Sequence, residues 1–159
     1  MAKVTQLNVK SKVSNEVGLP KYAVTSVVVN KGGMKGDYNN YRTDHLDSTP
    51  EQALLIMTID KIEELNNEGW PVKAGDIGEN ITVDGMNYDD FKPESIFRVG
   101  EVEFQVSYAC DPCSNLEKLP YVGKEKGNEF IKTMLHRRGW YARVLQEGTI
   151  KVGDEVKRM

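Results

Sequence analysis

The stretch Ile96-Phe97-Arg98-Val99-Gly100-Glu101-Val102-Glu103-Phe104-Gln105-Val106-Ser107-Tyr108 decides the fold class. Two short strand-like runs, 96–99 and 102–108, flank a turn at Gly100-Glu101 and read as a β-hairpin. Short strands recur on either side of it. Val4 to Val9 alternates apolar and polar residues, as a half-buried strand does. Ala23 to Val29 is rich in β-branched residues and reads as one further strand. Ala53 to Met57 is an apolar run of the length of a buried strand. Ile81 to Val83 and Trp140 to Leu145 add two more, and Thr149 to Val156 reads as a closing hairpin. Thr58 is the predicted N-cap of a helix whose Ile59, Ile62 and Leu65 share a face and which Gly69 ends. Asn128 is the predicted cap of a second helix carrying Phe130, Ile131, Met134 and Leu135. Its last turn would hold Arg137 and Arg138, facing the negative end of the helix dipole, with Gly139 as its stop. Strands do not alternate regularly with helices, which argues against a doubly wound fold. The expectation is a mainly β (α+β) fold, a barrel or sandwich with a few appended helices.

Directly after the hairpin comes Tyr108-Ala109-Cys110-Asp111-Pro112-Cys113-Ser114, which holds the only two cysteines of the chain. A thiolate, not a thiol, is the nucleophile and metal ligand, and local electropositivity sets how much of it exists at neutral pH. Ser114 and Glu117 are spaced as a capping box, which predicts a short helix opening just after Cys113 and stopped by Pro120. Its unpaired N–H groups would then point toward the Cys113 sulfur.

The 159 residues suit one domain, 1–159, with a real core. No apolar run approaches the roughly 20 residues of a membrane helix. The start of the chain, Met1 to Leu7, reads as a strand rather than a signal peptide. A cytoplasmic location is therefore expected, with no membrane partner. In that compartment two nearby cysteines are more often catalytic or metal-binding than a structural disulfide. A net charge of -3 argues against a nucleic-acid partner. The charge is uneven, however. Asp44 to Glu94 holds thirteen Asp or Glu against three Lys, whereas Cys113 to Arg143 holds seven Lys or Arg against three Glu. Most of those basic residues read as a solvated helix face, and the remainder would suit a small anionic ligand near the cysteine.

Several segments, taken in order, resemble the MOSC domain, the C-terminal domain of molybdenum cofactor sulfurases, which also occurs as standalone bacterial proteins. They are Gly18-Leu19-Pro20-Lys21, Gly36-Asp37 in a glycine-rich loop, Gly75-Asp76-Ile77-Gly78-Glu79-Asn80-Ile81, Pro112-Cys113, Gly139-Trp140-Tyr141-Ala142-Arg143-Val144, and Gly148 through Gly153-Asp154. The resemblance implies a mixed β-barrel, similar to the pyruvate kinase β-barrel-like fold, and a molybdopterin-type molybdenum cofactor. It also implies that Cys113 carries sulfur as a persulfide or ligates molybdenum. The chain departs from the family after the glycine-rich loop, where many members have a His- and Gly-rich segment. Here Tyr38 to Asp47 stands instead. In it Arg42 keeps the role of an anion contact, and His45 has no assigned counterpart.

Three functions follow from that resemblance and the residues. The first is a sulfur carrier, sulfurtransferase-like, that takes sulfur from a separate pyridoxal-phosphate-dependent cysteine desulfurase and delivers it to the cofactor, with molybdoenzymes as acceptors. This chain binds no pyridoxal phosphate itself. The second is a molybdenum-dependent reductase of N-hydroxylated small molecules with Cys113 as metal ligand. The third is a binding module with inert cysteines. Cys113 is the candidate catalytic residue and metal ligand, because a soft thiolate suits both sulfur relay and molybdenum. Asp37 reads as a turn residue, and is also the best-placed carboxylate for proton transfer. Lys21, Arg42, Arg137, Arg138 and Arg143 are candidate anion contacts, arginine offering a planar fork that fits phosphate. Lys21 and Arg42 are favoured, because Arg137 and Arg138 are explained as helix-end charges and Arg143 as an outward strand residue. Gly75 to Asn80 reads as a tight loop whose N–H groups, at Gly78, Glu79 and Asn80, are candidate cofactor contacts. Cys110 reads as structural or auxiliary, or as the thiol that resolves a Cys113 persulfide. A zinc site lacks ligands beyond His45 and His136.

Overall fold

The hairpin that Gly100-Glu101 predicts is present. In the computed structural model, which describes residues 1–39, 42–43 and 46–159, β7 (Ile96–Val99) and β8 (Val102–Ala109) pair antiparallel, with Val99 opposite Val102. Gly100 sits at φ +58, and a Cβ there would meet Asp154 Oδ2 at 2.4 Å, so the turn and the close approach both call for glycine. Phe97 and Phe104 face each other inside, and Arg98 and Glu103 pair on the outside.

Around this hairpin the strands form an eight-stranded mixed sheet in the order β11-β7-β8-β9-β5-β6-β1-β2. Here β1 is Lys3–Val9, β2 Tyr22–Val24, β5 Leu54–Thr58, β6 Ile81–Asp84, β9 Trp140–Gln146 and β11 Val156–Arg158. β5 and β6 are the parallel pair, joined by helix α1 (Ile59–Asn67), as a parallel connection requires. The sheet is rolled. At one edge the segment before β11 returns to the start of β1, with Val4 N donating to Asp154 O and Gly153 N donating to Val4 O. A three-stranded sheet, β10 (Gly148–Lys151), β3 (Ser26–Asn30) and β4 (Gly33–Met34), lies beside it. The fold is thus mainly β with few helices, as the sequence leads one to expect.

Four local expectations differ. Ala23 to Val29 is not one strand. β2 pairs β1 and β3 pairs β10, so the chain passes from one sheet to the other at Thr25. Thr149 to Val156 is not a hairpin either, because β10 joins the small sheet and β11 the large one. Asn128 does not cap the second helix, α2 (Gly123–Thr133), which begins five residues earlier. Within this helix Gly127 is buried against Glu117, where a Cβ would come within 2.7 Å of Glu117 Cγ. Gly139 does not end that helix. The helix stops at Thr133 and the chain reverses through His136 at φ 65.

One apolar cluster fills the roll, with Leu7, Ile56, Phe97 and Phe104 among its members. A second, including Leu65, Ile77, Leu116 and Phe130, fastens α1, α2 and the 75–78 loop to the sheet's outer face. Asn80 ties the two regions. Its Oδ1 accepts from Leu55 N (3.0 Å), and its Nδ2 donates to Asp37 Oδ2 (2.8 Å) and Asn8 O (3.3 Å). Asn80→Ala leaves a buried N–H and a carboxylate oxygen without these partners. A stability loss of about 3 kcal/mol is expected, read as a lower urea midpoint with unchanged slope.

Candidate functional site

β8 loses register with β9 between Val106 and Ala109, and the chain leaves the sheet at Cys110. Cys110 N is held by Gly139 O at 2.8 Å. Asp111 and Pro112 then carry the chain to Cys113, which opens a five-residue 3-10 turn, Ser114–Lys118. The Ser114–Glu117 capping box does not form. Cys113 occupies the cap position, without a side-chain cap bond, and buried Leu116 and Leu119 pin the turn to the second core cluster. A turn this short supplies no helix dipole to the sulfur.

Both cysteines are free thiols, Cys110 buried and Cys113 half-buried. They line one hollow of ≈ 310 Å³, together with Gly78, Lys21, Tyr141 and Arg138. Burial pushes the Cys110 thiol up, with Arg138 and the Tyr141 hydroxyl opposing it.

Arg138 is the side chain of greatest consequence. The turn at His136 separates the two adjacent arginines. Arg137 lies outside, donating to Thr133 O and pairing with Glu64 and Glu68, the helix-end role expected of it. Arg138 is only 5% exposed, and its Nε and Nη1 have no hydrogen-bond partner among the described residues. Gly139 fixes this position. At φ +113 it presses so close to β5 that a Cβ would sit 2.9 Å from Leu55 Cδ1, and its N–H donates to Tyr88 Oη. Nη2 of Arg138 lies 3.8 Å from where a Gly78 Cβ would be. A buried guanidinium without partners is costly, and an arriving anion offsets that cost.

The other expected contacts are distributed differently. Lys21 lines the hollow, but its Nζ donates to Asp37 Oδ1 (2.7 Å) and Tyr38 O (2.9 Å). Burial lowers its pKa, and Asp37 pulls it back. Asp37 also accepts from Lys10 N and Asn80 Nδ2 and does not line the hollow, so it is a structural hub rather than a base at the cysteine. Arg42 clamps the loop through the carbonyls of Gly32, Ser48 and Thr49, which leaves no free fork for an anion. Arg143 points outward from β9 between buried Ala142 and Val144 and donates to Gln105 Oε1. Asn80 is the strut described above. His45 lies outside the described residues, and no cluster of three or more His, Cys, Asp or Glu suited to a metal occurs among those described. Sequence reasoning discounted Arg138. The signal was the doublet itself, since two adjacent arginines in a turn cannot both face one helix end.

Glu79, fully buried, accepts from Thr82 Oγ1 on Oε2 and has no partner on Oε1 among the described residues. Burial raises it to about 7, against the N–H groups of Gly75 and Glu79 and the charge of Arg138. The folded chain therefore holds a proton that the unfolded chain releases near 4.5. This contribution to stability is present below that value and is lost as pH rises through about 7. The expected loss between pH 5 and pH 8 is on the order of 3 kcal/mol, and Glu79→Gln flattens that part of the urea-unfolding profile.

A MOSC domain model matches residues 42–157. The uncharacterized protein YflK of Bacillus subtilis is 27% identical over 146 residues, covering 89% of this chain, which spans 63% of that relative's length. The YiiM structure from Geobacillus stearothermophilus is 27% identical and superimposes with a TM-score of 0.75 over 100% of this chain and 75% of that one. The YuaD structure from Bacillus subtilis, at 19% identity, gives 0.80 over 98% of this chain and 93% of its own. At that identity the likeness to YuaD shows the fold alone.

Proposed function

This chain belongs to the MOSC domain family, and on that premise we propose that it binds a molybdopterin-type cofactor in the hollow and carries sulfur to it on Cys113. The observation that supports this reading most directly is the pairing, in one cavity, of a free half-buried thiol with a buried guanidinium whose Nε and Nη1 have no partner among the described residues. The cavity lies at the lower end of the volumes that hold small ligands. The donor set suits the group. Arg138 offers a planar fork for the cofactor's phosphate. The Gly78 backbone leaves room beside it, and Cys113 offers a soft sulfur for a soft metal. When bound, the cofactor supplies a redox-active metal able to take up sulfur.

The chain's own step is sulfur acceptance. The Cys113 thiolate attacks the outer sulfur of a donor persulfide. A new S–S bond forms on Cys113, the donor's S–S bond breaks, and the donor leaves as a thiolate. The donor in this reading is a separate pyridoxal-phosphate-dependent cysteine desulfurase, and molybdoenzymes are the acceptors. Incubation with such a desulfurase and free cysteine tests it. Intact mass spectrometry should show the gain of one sulfur atom. No gain, in protein that retains molybdenum and pterin from a host able to make them, overturns the carrier reading and favours a reductase with Cys113 as a permanent ligand.

A further inference from the structure

Glu79 and Arg138 are two buried ionisable side chains with unpartnered polar atoms. Glu79 has no exposed surface and an unpartnered Oε1, and Arg138 has unpartnered Nε and Nη1. Arg138 Nη2 lies beside Gly78, the residue before Glu79, yet no salt bridge closes between the two side chains. Arg138 lines the hollow, and its charge favours the ionised form of the Glu79 carboxylate.

We infer that Glu79 is the proton-accepting partner of the Arg138 anion seat, so that a tetrahedral oxyanion group taking the guanidinium N–H groups draws a proton onto the Glu79 carboxylate. This deepens the cofactor reading and rests on Arg138 being its phosphate contact. The argument is electrostatic. Arg138 is the cation that favours the charged form of Glu79, and an anion seated on Arg138 cancels that field and adds a negative charge nearby. Lys21 is committed to Asp37 and Tyr38 O. Asp76, on the same loop, is itself negative and accepts from the Tyr121 hydroxyl. The N–H groups of Gly75 and Glu79 and the Thr82 hydroxyl are fixed dipoles that do not change when the anion arrives. One O–H bond forms, the proton comes from solvent, and no electron moves. Glu79 is a positioning residue in this scheme, acting on the ligand through Arg138.

Sulfate is a suitable probe, because it stays fully ionised across the useful pH range and takes up no proton itself. Titration calorimetry at constant ionic strength, in buffers of differing ionisation enthalpy, counts the protons. Sulfate binding should be accompanied by proton uptake near neutral pH, with affinity roughly tenfold weaker at pH 8.5 than at pH 6.5. Glu79→Gln, with a neutral side chain of the same shape, should bind sulfate without uptake and equally well at both pH values. Arg138→Gln should not bind it. Wild-type binding without uptake, uptake that persists in Glu79→Gln, or failure of the wild type to bind sulfate each overturns the inference. The uptake is measured on the wild type, so the test survives even if the glutamine variant fails to fold. Sulfate uses neither the cofactor nor the Cys113 sulfur. A failure here therefore leaves the sulfur-loading result standing, and a failure of sulfur loading leaves the proton count readable.

Discussion

Cys113→Ser takes up no sulfur from a desulfurase, while its unfolding midpoint stays within experimental scatter of the wild type. Both halves follow from where the residue sits. Its sulfur is half-buried against the hollow, so the substitution removes little packing. Its structural contribution is a main-chain one, the carbonyl that accepts from Leu116 N at 3.1 Å, and serine keeps it. The hydroxyl is far less nucleophilic than a thiolate, so persulfide formation stops rather than slows. Cys110 remains in the variant and does not substitute. It is buried and its thiol is pushed up, so it offers a donor protein neither access nor anion. Intact mass before and after sulfur loading, with a urea titration of the same sample, checks both halves. Residual loading on Cys110 would contradict the assignment of the two thiols.

Arg138→Met separates function from stability by moving them in opposite directions. Loss of the guanidinium should weaken binding of a phosphate-bearing cofactor on the order of a hundredfold or more, since truncating one member of a buried charge pair costs about 2–5 kcal/mol. The free protein, however, holds this charge with Nε and Nη1 unpartnered. Replacing it by an apolar side chain of similar length removes that penalty, so the unfolding free energy should rise by about 1–2 kcal/mol. A residue kept only for the fold gives the reverse result, a loss of stability with binding intact. Cofactor retention after gel filtration and denaturant unfolding of the apo protein distinguish the two.

The sequence made the repeating elements legible where local pattern decides them. The Gly100-Glu101 hairpin, the alternation in β1, and the Ile62 and Leu65 face of α1 are set by neighbours a few residues away. What it did not reveal depends on distant partners. Nothing within 23–29 announces that Thr25 passes the chain between two sheets, because the partners of β2 and β3 lie at opposite ends of the chain. Arg137 and Arg138 are chemically equivalent in sequence. Glu64 on α1 and Glu68 just after it, some seventy positions earlier, pair with Arg137 outside, while its neighbour lines the hollow. Chemistry and spacing single out Cys113 in the sequence, whereas the partners of Asp37 and Arg42 are not legible there, because a charged side chain beside a glycine loop looks the same whether it meets a ligand or ties the loop together.

The hollow has no private scaffold. Lys21 precedes β2, Gly78 lies before β6, Cys110 and Cys113 follow β8, Arg138 precedes β9 and Tyr141 lies within it. Whatever settles among these side chains grips four remote stretches of polypeptide at once, and none of them can let go without dismantling the rest. Occupancy must therefore act as a thermodynamic rivet for the entire molecule, and any tightly held guest should raise its melting temperature in step with guest concentration.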